Sequence, residues 1–241
     1  MVPARGGSKS IPHKNLAPLA GRPLLDYGVL AARSCIRLDR IICSTEDDRI
    51  AERARTLGIE VDNRPQTLAG DDIRVSEVAK EMLERLGGDN QMPEILVLVQ
   101  PTSPFLLPAH VDAVLEAMAN DPDCRSGQTI TPVPHNYHAW NQRVAEGGRV
   151  RFSFAEQRAA AYNKQRKTGL FTFGNLVATR AEAILEGEGF FADPSAAVEI
   201  PWPYNLDVDT APDLTLAESL ISTGTVVLPN LPDTDLAAAA P

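Results

Sequence analysis

The sequence has no apolar run approaching the roughly 20 residues that a membrane-spanning helix requires. Its start, Met1-Val2-Pro3-Ala4-Arg5-Gly6-Gly7, lacks the hydrophobic stretch of a secretory signal. Both absences point away from a membrane partner and make the cytoplasm the expected location. Cysteine is scarce: Cys35, Cys43 and Cys124 are odd in number and form no metal-like pair, so they read as buried small hydrophobes rather than as disulfides or ligands. A basic surplus is missing too, with a formal net charge of -9, which argues against nucleic acid as a partner because neutralising a phosphate backbone needs excess Lys and Arg. There is no internal repeat.

What is present suffices for one sizeable globular domain: 241 residues, 44% of them hydrophobic. Short apolar runs alternate with helical periods, the pattern of a mainly parallel sheet covered by helices. Ile41-Ile42-Cys43-Ser44 reads as a buried strand. A helix opening at Thr45 or Glu46 runs through Ile50, Ala54 and Leu57 to a stop at Gly58, and Ile59-Glu60-Val61 is the next strand. Residues 75–86 repeat the helical period until Gly87-Gly88 breaks it. Ile95-Leu96-Val97-Leu98-Val99 is apolar at every position, as a central strand covered on both faces should be. A helix over 109–119, strands over 128–133 and 170–173, and a helix over 212–221 follow. Between 134 and 167 the composition turns polar, with two short strands expected around Gly147-Gly148. These features divide the chain into a nucleotide-binding core (1–133), an excursion (134–167), the rest of the core (168–222) and a tail (223–241) whose Ala-Pro-rich end is expected to be disordered.

The first acidic residue is Asp26, so Arg5, Lys9, Lys14 and Arg22 concentrate positive charge at the start. In Pro3-Ala4-Arg5-Gly6-Gly7-Ser8-Lys9-Ser10-Ile11-Pro12-His13-Lys14-Asn15 the glycines let backbone N–H groups approach phosphate oxygens while the cations supply countercharge. A Walker loop is excluded, since Ser8 stands where that motif needs Gly before Lys. Gln100 follows the central strand, where ligands of open parallel sheets sit. Asp207 and Asp209, two apart on an extended segment, can offer hard oxygens to one Mg2+. Asp209 or Thr210 can equally serve as a helix cap.

The glycine-basic loop resembles the N-terminal signature of the acylneuraminate cytidylyltransferases, the CMP-sialic acid synthetases and their relatives acting on legionaminic and pseudaminic acids. Arg64-Pro65 with Leu68-Ala69 and Asp71 resembles that family's second nucleotide motif, Ser76 falls at a further contact, and Gln100-Pro101-Thr102-Ser103-Pro104 and Asp207-Val208-Asp209-Thr210 follow in order. The resemblance implies a Rossmann-like three-layer α/β nucleotidyltransferase fold with a small dimerisation excursion, and transfer of CMP from CTP to the anomeric hydroxyl of a nonulosonic acid. By the same resemblance Ala4, Arg5, Gly6, Lys9, Lys14, Asn15, Arg64, Ser76 and Gln100 bind nucleotide. Gln100, Arg166, Phe190 and Phe191 face the sugar, the phenylalanines from a partner subunit; Asp207 and Asp209 hold Mg2+. Arg5, Lys14, Asp207 and Asp209 carry the catalysis, and a homodimer is expected.

This sequence departs from the family pattern where Thr168 replaces the usual Asn and where residues 135–141 contain no Lys. His135 and His138 read as ordinary polar contacts. Only Met1 and Val2 precede Pro-Ala-Arg, so either the native start lies upstream or the first strand is short. A related activity on Kdo or another acidic acceptor, use of GTP, and a catalytically silent nucleotide-binding protein are the alternative readings.

Overall fold

The computed structural model describes residues 1–161 and 168–231. In chain order, β1 (Val2–Pro3) leads into the glycine-basic loop, a small hairpin of β2 (Pro18–Leu19) and β3 (Arg22–Pro23), and α1 (Leu24–Arg33). Then come β4 (Ile42–Thr45), α2 (Asp48–Thr56), β5 (Glu60–Asn63), α3 (Val75–Gly88), β6 (Ile95–Leu98), α4 (Pro108–Asn120) and β7 (Ser126–Pro132). The second half has a hairpin of β8 (Arg143–Glu146) and β9 (Arg149–Phe152), α5 (Ala155–Ala160), β10 (Phe171–Arg180), α6 (Ala181–Leu185), β11 (Ser195–Glu199) and α7 (Ala211–Ser222).

β1 pairs in parallel with β4, and β4 with β5. On its other side, the Met1 amine donates to the Val97 carbonyl at 2.8 Å and the Val99 amide to the Met1 carbonyl at 3.0 Å, which joins β1 to β6 in parallel. The central sheet therefore runs β5-β4-β1-β6-β10-β7-β11, with β10 antiparallel to its neighbours β6 and β7. It is mainly parallel, as expected for an α/β nucleotidyltransferase fold.

The all-apolar strand β6 explains the layering. Val97 and Val99 face a core built with α1, α2 and α4, whereas Leu96 and Leu98 face another built with α3 and α6. Successive side chains point to opposite faces, so a strand covered twice has no polar position. A third cluster packs α7 and Val226, Leu228 and Leu231 against β2 and Tyr27. The tail expected to be largely disordered from residue 223 packs here in its first part, and residues 232–241 lie outside the described residues.

Boundaries differ from expectation in instructive ways. Thr45 belongs to β4, and α2 starts only after Asp47, whose carboxylate accepts the Arg49 and Ile50 amides as an N-cap. Gly58 does stop that helix, at a positive φ of 70°. Gly87 and Gly88 do not break α3 but form its last turn. Two elements escape the sequence pattern. α1 buries Leu24, Leu25, Asp26, Tyr27, Gly28, Val29, Ala31 and Ala32 around most of its circumference, the polar Asp26 included, and no expectation named it. β11 is the weakly β-forming Ser-Ala-Ala-Val-Glu, held by parallel pairing to β7. The hairpin around Gly147-Gly148 is as expected, both glycines taking positive φ.

Candidate active site

The glycine-basic loop leaves the carboxyl end of β1 and is fixed from three sides. Ala4 is buried and its amide donates to the Ser44 carbonyl at 3.0 Å. The Gly6 amide donates to Glu46 Oε1 at 2.7 Å. A Cβ on Gly6 would stand 2.8 Å from the Asp47 Cβ, an atom the backbone anchors, so only glycine passes beside the α2 cap. Asn15 Nδ2 donates to the Arg5 carbonyl at 2.9 Å and ties the end of the loop to its beginning.

These constraints open a cavity of about 470 Å³ at the carboxyl ends of the parallel strands. Arg5, Lys9, Lys14, Asn15, Arg64, Gln100 and Asp209, distant in sequence, all line it. Arg64 is buried, with Nη2 donating to the Ser44 carbonyl at 2.6 Å; burial, above all, lowers its pKa. Lys14 Nζ pairs with Asp209 Oδ1 at 2.9 Å. The acidic segment is tethered to the loop after β6 by the Val208 amide, which donates to the Thr102 carbonyl at 2.7 Å. Thr210 is the N-cap of α7, and Asp213 accepts the Thr210 amide at 2.7 Å. The same carboxylate accepts the Asp209 amide at 3.2 Å, so the cap uses neither the Asp207 nor the Asp209 side chain. Asp207 is open to solvent, yet crowding by surrounding protein raises its carboxyl above the ordinary value; the Asp209 and Asp213 charges push the same way, against the Thr102 hydroxyl and Lys14.

Other expected site residues sit elsewhere. Gly6 is beside the cavity, with its amide already committed to Glu46. Ser76, in the first turn of α3, stands next to Gly189 rather than on the wall. Phe190 is buried among α3 and α6 residues, while Phe191 is exposed with its ring edge-on to Phe173 at 5.5 Å. Arg166 lies outside the described residues. The structure also adds Glu46, under Gly6, which no motif marked, and gives contacts to two residues named only inside motifs: Thr102 under Val208, and Ser10, whose hydroxyl donates to the Asp209 carbonyl at 2.5 Å. Asp71, visible only as part of a motif, pairs with both Arg5 and Lys9.

A family model described as Cytidylyltransferase matches residues 1–168. The chain belongs to the cytidylyltransferase family. This cytidylyltransferase, a nucleotidyltransferase by that membership, is 26% identical to the CMP-N,N'-diacetyllegionaminic acid synthase of Legionella pneumophila over 92% of its own length and 94% of the relative's. It is 36% identical to the 3-deoxy-manno-octulosonate cytidylyltransferase of Anaeromyxobacter sp. over 49% of its length and 46% of that protein's. The solved structure of a CMP:2-keto-3-deoxy-manno-octonic acid synthetase complexed with CTP shares the fold, with a TM-score of 0.68 at 16% identity over 92% of this chain and 97% of that one.

Proposed function

We propose that this cytidylyltransferase joins CMP from CTP to the anomeric hydroxyl of a nonulosonic acid, releasing pyrophosphate. Coverage carries the reading: the legionaminic acid synthase matches along nearly the whole of both chains, whereas the 3-deoxy-manno-octulosonate enzyme matches over about half of each. Sequence similarity along nearly the whole chain supports the nine-carbon reading, while in fold a CMP:2-keto-3-deoxy-manno-octonic acid synthetase also covers 92% of the chain.

In this reaction the hydroxyl oxygen bonds to the α-phosphorus of CTP while the bond from that phosphorus to the pyrophosphate oxygen breaks. The hydroxyl proton passes to a carboxylate or to water. Arg5, Lys9 and Lys14 would line the polyphosphate and offset the charge that builds on the leaving group. Gln100, at the carboxyl end of β6, would orient the substrates, with Asn15 holding the loop in shape. Asp207 and Asp209 would offer hard carboxylate oxygens to a divalent cation, Asp209 from the cavity wall where its Oδ1 meets Lys14. Mg2+ held there would supply positive charge beside the phosphates. Arg166 would pair with the sugar carboxylate. Phe191 would reach the sugar of a partner subunit, with Phe190 anchoring it in the core. Exposed Tyr137, Val144, Val150 and Phe154 on the excursion support a homodimer. Among the described residues no helix is long and apolar enough to cross a membrane, and the cytoplasm is the proposed site of action.

A second reading, transfer to the eight-carbon acid Kdo, is favoured by the 36% identity over the shared half. Pyrophosphate release with CTP and Mg2+ across N-acetylneuraminic, legionaminic, pseudaminic and Kdo acids separates the two. Turnover with a nine-carbon acid, abolished in Asp209→Ala, is expected. Turnover with Kdo alone would establish the second reading, and silence with every acid would overturn both.

A further inference from the structure

Asp71 lies in the segment between the 3-10 turn Gln66–Leu68 and α3, on the cavity wall opposite the glycine-basic loop. Its two oxygens are divided between two cations of that loop. Oδ1 is taken by Arg5 Nη1 and Oδ2 by Lys9 Nζ, the latter at 2.5 Å. Both cations face the space where a polyphosphate would lie, and their donor groups suit phosphoryl oxygens as well as carboxylate oxygens. Asp71 and a phosphate group therefore compete for the same N–H donors.

We infer that Asp71 is a built-in competitor of the nucleotide's phosphates, holding Arg5 and Lys9 at the cavity wall and yielding them when polyphosphate enters, so that it limits affinity for CTP and hastens departure of pyrophosphate. This rests on reading the cavity as the triphosphate site. The strength of the contacts suits such an exchange. The Lys9 side chain is 84% exposed and that of Asp71 43%, and ion pairs so open to water are weak and readily replaced. Contact with Lys9 first, then with Arg5, holds the Asp71 carboxyl below the usual carboxylate range, so the competitor keeps its charge at neutral pH. Asp71 is a positioning residue in this scheme, with an effect opposite in sign to that of an ordinary structural contact: removing its charge strengthens binding.

Calorimetric titration with inorganic pyrophosphate and with tripolyphosphate, without sugar, tests the idea on wild type, Asp71→Asn and Asp71→Ser. Both Asp71 variants should bind about threefold to tenfold more tightly, the range for losing one or two exposed ion pairs. Asp72→Asn removes the same charge one residue on and should leave affinity unchanged. In turnover, Asp71→Asn should lower KM for CTP without raising kcat, and pyrophosphate should inhibit it more strongly. Unchanged or weaker polyphosphate binding by the Asp71 variants, or equal tightening by Asp72→Asn, overturns the inference while leaving the proposed reaction intact. Failure of the wild-type chain to bind either polyphosphate overturns the triphosphate reading of the cavity and this inference with it.

Discussion

Asp207 sets chemistry against folding. Its carboxyl is raised, first by the surrounding protein and then by Asp209 and Asp213. A raised carboxyl means the folded chain holds this proton more tightly than the unfolded chain does. Ionisation therefore costs stability as pH climbs past the ordinary carboxylate value and through the raised one. Asp207→Asn keeps an oxygen for the Thr102 hydroxyl and removes the charge. It should melt higher at neutral pH, with the gain fading below the carboxylate range. Its turnover should fall about 100-fold or more, in line with lost electrostatic stabilisation. Melting curves beside a pyrophosphate assay check both halves; a variant that melts lower at neutral pH, or works at the wild-type rate, would count against this account. Residue type and order marked Asp207, Asp209 and Lys14 in the sequence. That Lys14 pairs with Asp209 became visible only in space, because the two lie 195 residues apart.

Among the elements, β10 shows why local signals mislead. The expected strand covers 170–173 only, and the Gly174-Asn175 that follows is a dipeptide common in turns. Instead β10 continues to Arg180, with its register against β7 shifting between Phe173 and Val177. Asn175 sits fully buried at that irregularity. Its Nδ2 lies 2.9 Å from the Tyr204 carbonyl and 3.0 Å from His110 Nδ1, and the Thr129 hydroxyl accepts its amide at 2.8 Å. The bulge thus ties α4 and β7 to the segment that leads into Asp207. Because His110 Nδ1 also accepts the Leu107 amide, the ring is neutral, and burial pulls its pKa from 6.5 to about 4. The unfolded chain takes up this proton first on acidification. The stability is therefore intact above 6.5 and lost as pH falls towards about 4, on the order of 3 kcal/mol at about 1.4 kcal/mol per unit. Urea unfolding across that window should show the loss, and His110→Gln should flatten it. An equal acid slope in the variant would assign the loss to other groups.

For the molecule as a whole, the acidic balance and the basic cavity belong together. A net charge of -9 discourages promiscuous polyanion binding, and a few cations held in one cavity still recruit a small anion locally. The excursion bears Val144, Val150 and Phe154 exposed on and beside a hairpin that projects from the core, and the adjoining strand exposes Phe171. Sedimentation equilibrium should give twice the chain mass of 26.0 kDa, and Val150→Glu with Phe171→Glu should reduce it to one chain. A monomeric wild type would remove the dimer and the place of Phe191 in a neighbour's site.

The sequence by itself determined the α/β class, the order of the main strands and helices, and the extent of the glycine-basic loop. Each of these is written in a local signal: an apolar run, a helical period, glycines among cations. Tertiary structure alone decided that α1 is a helix buried nearly all round, that β10 crosses the Gly-Asn signal, and that Glu46 and Asp71 occupy the loop's donors. Those outcomes depend on partners far away in sequence. A buried contact outweighs a local preference of a fraction of a kcal/mol, and no spacing along the chain records it.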